Sequence, residues 1–232
     1  MAEPINPFLE AAMHDMGLPP NAIPRMTHEE VMANRERLLR ENPPRPAVAP
    51  PSVPKRFRQV RWTDVQPRRD VQGWPAAVRA VQRWQEDVAA GRGNMLALIG
   101  PKGTSKTHLA ACAAWWLYEE HNIRVPFYSW PYELVEWLRG GRIILSEHGT
   151  RELHPGHVRQ NLYDADALII DEVRPTSGTD FDAMELAKLA MQRYDNDSSI
   201  LITCNWESLE GVMGEPAADR FAIVTLDGPS YR

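Results

Sequence analysis

The sequence predicts an α/β fold built on a parallel sheet with helices on both faces. Three observations carry this expectation. From residue 95 onward, short apolar runs alternate with longer amphipathic ones. A glycine-bearing loop, G-P-K-G-T-S-K-T at Gly100–Thr107, joins one apolar run to an alanine-rich segment. A later apolar run, Ala167-Leu168-Ile169-Ile170, ends in the adjacent acids Asp171 and Glu172.

Taken in order, residues 1–54 read as a partner-binding tail and proline-rich linker, mostly extended with two short helices. Asn6-Pro7 caps a first helix with Phe8, Leu9 and Met13 at helical spacing, and Gly17 with Pro19-Pro20 stops it. Thr27 and Glu30 form a capping box for a second helix, whose thin apolar stripe includes Val31, Leu38 and Leu39. Such short stripes need a surface to dock on. That surface is either the chain's own core or a partner. Residues 43–54 hold six prolines and predict an extended linker.

Residues 55–232 read as one globular domain. The segment 55–70 is basic, with Phe57 and Trp62 interleaved. Trp74, Val78, Val81, Trp84 and Val88 then recur at helical spacing. Strands are expected at Met95–Ile99, Val125–Trp130, Ala167–Asp171, Ser199–Asn205 and Ile223–Leu226. Helices are expected at Thr107–Glu120, with Leu109, Ala113, Trp116 and Leu117 inward, at Tyr132–Arg139 and at Asp180–Tyr194. Residues 140–160 are polar and carry no clear period.

Composition bounds the function. Charged residues are 25% and hydrophobic residues 43% of the chain, ordinary for a globular protein. No apolar run approaches the roughly 18 residues that a membrane span needs, and the start lacks a secretory pattern. The two cysteines, Cys112 and Cys204, sit in apolar segments, as expected of reduced core thiols in a cytoplasmic protein. Net charge is −5, which argues against a surface coated in positive charge. The charge is uneven: residues 55–92 carry 9 Lys/Arg against 4 Asp/Glu, and residues 93–232 carry 12 against 20. Any DNA contact must then be local.

The loop Gly100–Thr107 has the context of a phosphate-binding loop, strand before and helix after. Its backbone N–H groups and the helix N-terminus favour an anion, Lys106 can reach the β- and γ-phosphates, and the Thr107 hydroxyl can help hold Mg²⁺. Gly100, Pro101, Lys102, Gly103, Thr104, Ser105, Lys106, Thr107 and His108 are the candidate nucleotide-binding residues. The pattern G-x-x-x-x-G-K-[ST] asks for glycine before the lysine, and this chain has Ser105. If the backbone there takes positive φ, a serine costs about 1–2 kcal/mol. The alternative is a strand-to-helix turn that binds nothing. Asp171, at a strand end, can join Thr107 at Mg²⁺, and Glu172 can polarise an attacking water. Asn205 ends another apolar strand and either orients that water or simply forms a turn. His148, His154 and His157 lack the spacing of a metal site.

In series, G-P-K-G-T-S-K-T-H-L-A-A, A-L-I-I-D-E, L-I-T-C-N-W, D-R-F and G-P-S-Y-R resemble the AAA+ ATPases of the DnaC/IstB type. The resemblance implies a five-stranded parallel sheet with little or no C-terminal lid, and ATP and Mg²⁺ as cofactors. It implies Asp171 as the Mg²⁺-organising acid, Glu172 as catalytic base, Asn205 as sensor 1, Arg220 as an arginine finger in a homo-oligomer and Arg232 as sensor 2. It also implies a helical insertion, here Tyr132–Gln160, lining a channel for single-stranded DNA. Arg139, Arg142, Arg151 and Arg159 lie in that stretch with Trp137, and Glu147 and Glu152 dilute its charge. For each arginine the alternative is an ordinary surface or ion-paired role.

DnaC-like proteins load a replicative, DnaB-like hexameric helicase onto single-stranded DNA. The resemblance therefore implies an ATP-dependent helicase loader, of a size that fits a phage-encoded one, with Phe8, Leu9, Met13 and Leu38 as the grip. The alternatives are an IstB-like transposition helper, and a non-hydrolysing nucleotide-binding adaptor in which Ser105 has blunted the ATPase.

Overall fold

A computed structural model describes residues 51–146, 149–175, 180–205 and 207–230. The two helices expected in the tail, with Phe8, Leu9, Met13 and Leu38, lie outside the described residues, as do His148 and Arg232.

Among the described residues the strands are β1 (Met95–Ile99), β2 (Phe127–Ser129), β3 (Arg142–Ser146), β4 (Gly149–Leu153), β5 (Ala167–Val173), β6 (Ser199–Cys204) and β7 (Ala222–Thr225). The helices are α1 (Trp74–Ala89), α2 (Lys106–His121), α3 (Val135–Gly140), α4 (Pro155–Asp164), α5 (Asp180–Asp195), α6 (Glu210–Met213) and α7 (Glu215–Ala218). Five strands form one parallel sheet in the order β2-β5-β6-β1-β7. This is the sheet that the resemblance implied.

The strands β1 and β6 read as unbroken apolar runs because both sheet faces are covered. Alternate residues of β1 divide between two cores. Leu96 and Leu98 pack with Trp84 of α1 and with Leu109 and Leu117 of α2. Met95, Ala97 and Ile99 pack with Leu138, Leu162, Leu186 and Leu189, from α3, α4 and α5. Cys112 and Cys204 are both buried, and burial pushes the Cys112 thiol up to about 12.

The segment 55–64 straps onto α2. Arg61 makes an ion pair with Glu119 at 2.6 Å and stacks over Trp115 at 4.3 Å, while the Trp115 indole N–H donates to the Phe57 carbonyl. This strap covers Trp115, which is buried, while Trp116, the tryptophan expected to face inward, packs against the same core only partly buried beside His121. The strap begins before residue 55. Val53 is buried, and the Ser52 hydroxyl donates to the Phe127 carbonyl, so the last residues of the expected linker pack on the domain.

Two further expectations change. The second strand is only Phe127–Ser129, because Trp130-Pro131 opens a five-residue π-helical turn, Trp130–Leu134, before α3. Proline suits the first helical positions, and the Glu133 carboxylate accepts the Ser129 N–H at 2.8 Å. The stretch Tyr132–Gln160 is also not wholly helical. Its middle is an antiparallel hairpin, β3 with β4, in which Ile144 pairs Arg151 and Arg142 pairs Leu153. The β-branched residues of R-I-I-L-S favour a strand, and Gly141 at φ 84° turns the chain out of α3.

Candidate functional site

Strand β6 lies between β1 and β5, so the loop after β1, the acids of β5 and Asn205 after β6 emerge together at the carboxyl ends of adjacent strands. Open α/β sheets bind ligands at this edge. A cleft of about 280 Å³ opens there, lined by Lys102, Gly103, Ser105, Lys106, Thr107 and His108, by Glu172 and Asn205, and by Arg56 and Phe57.

The loop's shape follows from close packing. A Cβ on Gly100 would stand 1.9 Å from the Leu226 carbonyl, and one on Gly103 would meet Ser230. Ser105 does take the left-handed conformation, at φ 68° and ψ 20°. The strain of about 1–2 kcal/mol expected from its side chain is therefore real. It is opposed by a hydrogen bond: Arg68 Nη1 donates to Ser105 Oγ at 3.3 Å. A bond from a charged donor contributes about 1.5–3 kcal/mol at good geometry, the same order as the strain.

Lys106 is buried, and its ammonium donates to the carbonyls of Gly100 and Pro101 at 2.7 and 2.8 Å and to the Thr104 hydroxyl at 3.3 Å. Burial draws it down to about 8, opposed by nearby Asp171. The Thr107 hydroxyl donates to Asp171 Oδ1 at 2.8 Å. The Asp171 carboxyl is pushed above the ordinary range by burial, against the lowering effect of its bonds from Thr203 and Thr107. Among the described residues both bonds fall on Oδ1, and Oδ2 accepts none. Hard oxygens at this spacing fit Mg²⁺.

A register shift organises the acids. Ile170 pairs Ile202 and Val173 pairs Cys204, so Asp171 and Glu172 together stand opposite Thr203 alone. Such a bulge leaves backbone groups without ladder partners. Here Thr203 supplies them: its hydroxyl donates to Asp171 Oδ1 at 2.5 Å and accepts the Glu172 N–H at 3.1 Å. Glu172 sits at φ 59° and lines the cleft.

The cleft thus brings together Lys102, Gly103, Ser105, Lys106, Thr107, His108, Glu172 and Asn205 from the sequence-expected set. Gly100, Pro101 and Thr104 form the loop behind it and hold Lys106. Burial lowers His108, whose ring lies 6.2 Å from Phe57. Sequence reasoning missed Thr203, Arg68, Arg56 and Phe57 as site residues. A lone hydroxyl inside the apolar run of β6 was the available signal for Thr203. The aromatic within the basic stretch was the signal for Phe57.

Arg220 stands elsewhere. It precedes β7, at the end of the sheet opposite the loop Gly100–Thr107, and its guanidinium lies 4.7 Å from the Tyr194 ring centroid. With Tyr194, Arg83 and Asp197 it lines a depression of about 680 Å³. Of the candidate DNA-binding residues, Arg139 pairs with Asp182 at 2.7 Å. Arg142 and Arg151 lie on the two strands of the hairpin. Nearby Arg159 pairs with Glu185 at 2.6 Å. These ion pairs reduce the positive charge that the surface offers. His154 caps α4 by accepting the Gly156 N–H.

No family model matches the chain. The chain is 27% identical over 134 residues to the chromosomal replication initiator protein DnaA of Rickettsia akari (strain Hartford), a match covering 56% of this chain. The chain spans about a quarter of that relative's length, 26%. Solved structures share the fold. The DnaC helicase loader aligns with a TM-score of 0.57 at 17% identity, over 74% of this chain and 99% of that one. DnaI aligns with a TM-score of 0.58 at 18% identity, over 80% and 97%. The replication initiator DnaA bound to AMPPCP and single-stranded DNA aligns with a TM-score of 0.51 at 22% identity, over 66% and 46%. The described residues between 51 and 230 share the fold of these DnaC and DnaI structures, a five-stranded parallel sheet flanked by helices.

Proposed function

We propose that this chain is an ATPase that loads a replicative hexameric helicase onto single-stranded DNA, in the manner of a DnaC-like loader. One observation carries the reading: Lys106, Thr107, Asp171, Glu172 and Asn205 converge at one strand edge, in a fold that matches the DnaC helicase loader over 99% of its length. The AMPPCP-bound DnaA structure supports ATP as the ligand.

Each residue then has a task. Loop N–H groups cradle the phosphates, and Lys106 exchanges its bonds to the Gly100 and Pro101 carbonyls for phosphate oxygens. Thr107 and Asp171 would hold Mg²⁺, which neutralises charge on the transferring phosphoryl group. Glu172 accepts a proton from the attacking water and Asn205 orients it. Arg220 serves a neighbouring subunit's site in a homo-oligomer, and Arg232 would contact ATP within its own subunit. Residues 1–50, ahead of the segment that packs on the domain, act as the partner-binding tail, with Phe8, Leu9, Met13 and Leu38 docking on the helicase. The ATPase domain is residues 55–232 together with the packed residues just before them. Arg139, Arg142 and Arg151 contact the DNA backbone.

The test is ATP turnover with single-stranded DNA and helicase, beside a pull-down from host lysate. The expected result is helicase capture that deletion of residues 1–45 abolishes, with ATP binding intact. Turnover unchanged by Glu172→Gln would refute the catalytic assignment. ATP binding without any turnover would identify a non-hydrolysing adaptor, and capture of a transposase without helicase an IstB-like helper.

A further inference from the structure

The serine that breaks the phosphate-loop pattern has a partner far away in sequence. Arg68 Nη1 donates both to Ser105 Oγ and to the Gly103 carbonyl, each at 3.3 Å. Its Nη2 donates to the Pro229 carbonyl at 3.2 Å. Both Asp70 carboxylate oxygens accept from one edge of the same guanidinium, from Nε at 2.8 Å and Nη2 at 2.6 Å, and the arginine holds that carboxyl below its usual range. Arg68 is 8% exposed, which is unusual for an arginine and fits a fixed structural task. It does not line the cleft, whereas Ser105 and Gly103 do, so it grips the loop from behind.

Two consequences follow from elementary geometry. A serine hydroxyl bonded to Arg68 is drawn off the path of an incoming phosphate. A peptide's C=O and N–H point in opposite directions. Fixing the Gly103 carbonyl toward Arg68 therefore turns the Thr104 N–H away from Arg68, the orientation in which a loop N–H can serve an anion. A peptide flipped the other way would present a carbonyl to the phosphates instead.

We propose that Arg68 is a positioning residue for the nucleotide, which makes a serine workable where the phosphate loop otherwise needs glycine. It does so by tying the loop to the segment before α1 and to the run after β7. The proposal rests on the nucleotide-site reading above. It predicts that Arg68 and Ser105 act as a coupled pair, and that Arg68 affects ATP binding more than chemistry, because its bonds go to the loop while Glu172 and Asn205 line the cleft.

The experiment is a double-mutant cycle on the full chain, with a fluorescent ATP analogue for Kd and steady-state turnover for KM and kcat. Arg68→Gln should weaken binding about tenfold with Ser105 present, the loss of one charge-assisted bond. In the Ser105→Gly background the same change should cost less than about threefold, because the hydroxyl that Arg68 restrains is gone. The effect should fall on KM, with kcat within about twofold. Arg68→Lys keeps charge but not the two-ended grip, and should show the same coupling to Ser105 if the Gln variant does not fold. Equal losses in both backgrounds, or no loss in either, would overturn the proposal while leaving the nucleotide site standing. Failure of the unaltered chain to bind the analogue would overturn both.

Discussion

The Thr203 hydroxyl of β6 donates to Oδ1 of Asp171 on β5 at 2.5 Å, and both groups are almost fully buried. The bond exists because a bulge sets two acids opposite one threonine. Thr203 thereby fixes both the carboxylate that faces Thr107 and the peptide of Glu172. Thr203→Val should lower ATP turnover and Mg²⁺ affinity by about 10–100-fold, the usual effect of removing a group that orients a metal ligand. Thr203→Ser should restore most of it. A Mg²⁺ titration of turnover for the two variants checks this, and equal activity in both would remove Thr203 from the site.

Lys106 should make nucleotide binding depend on pH. Its ammonium lies near 8 in the folded chain against 10.5 ordinarily. Between those values the unfolded chain holds more protons at this position, so its contribution to stability rises with pH across that window. Phosphate binding needs the ammonium, so ATP affinity should fall as pH climbs above about 8. Binding at pH 9 should take up close to one proton. Calorimetry in buffers of different ionisation enthalpy measures that uptake directly.

Arg220 should act only between subunits. It sits at the amino-terminal end of β7, and four strand residues at roughly 3.3 Å each place it more than about 13 Å from the phosphate-loop end of the sheet. Arg220→Ala should cost about 10³-fold in turnover without weakening ATP binding. Mixing Arg220→Ala with inactive Glu172→Gln chains should recover activity, because the intact Arg220 of one can complete the site of the other. No recovery on mixing argues for an intrasubunit or purely structural role.

Arg193 should be a stability residue and nothing more. It is fully buried and donates to the carbonyls of Leu162, Asp166 and Ser199, joining the end of α4 to the starts of β5 and β6. Burial lowers it to about 10. Arg193→Leu takes the charged donor from the buried carbonyls of Leu162 and Ser199, while the Asp166 carbonyl keeps the Ser199 N–H, and should destabilise the fold by about 3–5 kcal/mol. Urea denaturation reads the loss, and the ATP affinity of the folded fraction should not change.

Local pattern made much of this legible. The unbroken apolar runs of β1 and β6, the loop Gly100–Thr107 and the pair Asp171-Glu172 each carry their signal within a few residues. The hairpin Arg142–Leu153 was not legible, because its polar sequence carries no clear period and, among the described residues, its two strands pair with each other rather than with the main sheet. The choice between Trp115 and Trp116 was not legible either. It depends on Arg61 and Phe57, which lie more than fifty positions away and reach α2 only after folding.

The sequence by itself determined which residue types gather at the phosphate loop and the strand ends, because strand, turn and helix signals are local. Tertiary structure alone decided that Ser105 takes a left-handed backbone, that Arg68 restrains it, and that Thr203 bridges the two acids. The restraint and the bridge are hydrogen bonds between segments far apart in the chain, and the packing of the sheet and its flanking segments brings those partners within 3.3 Å.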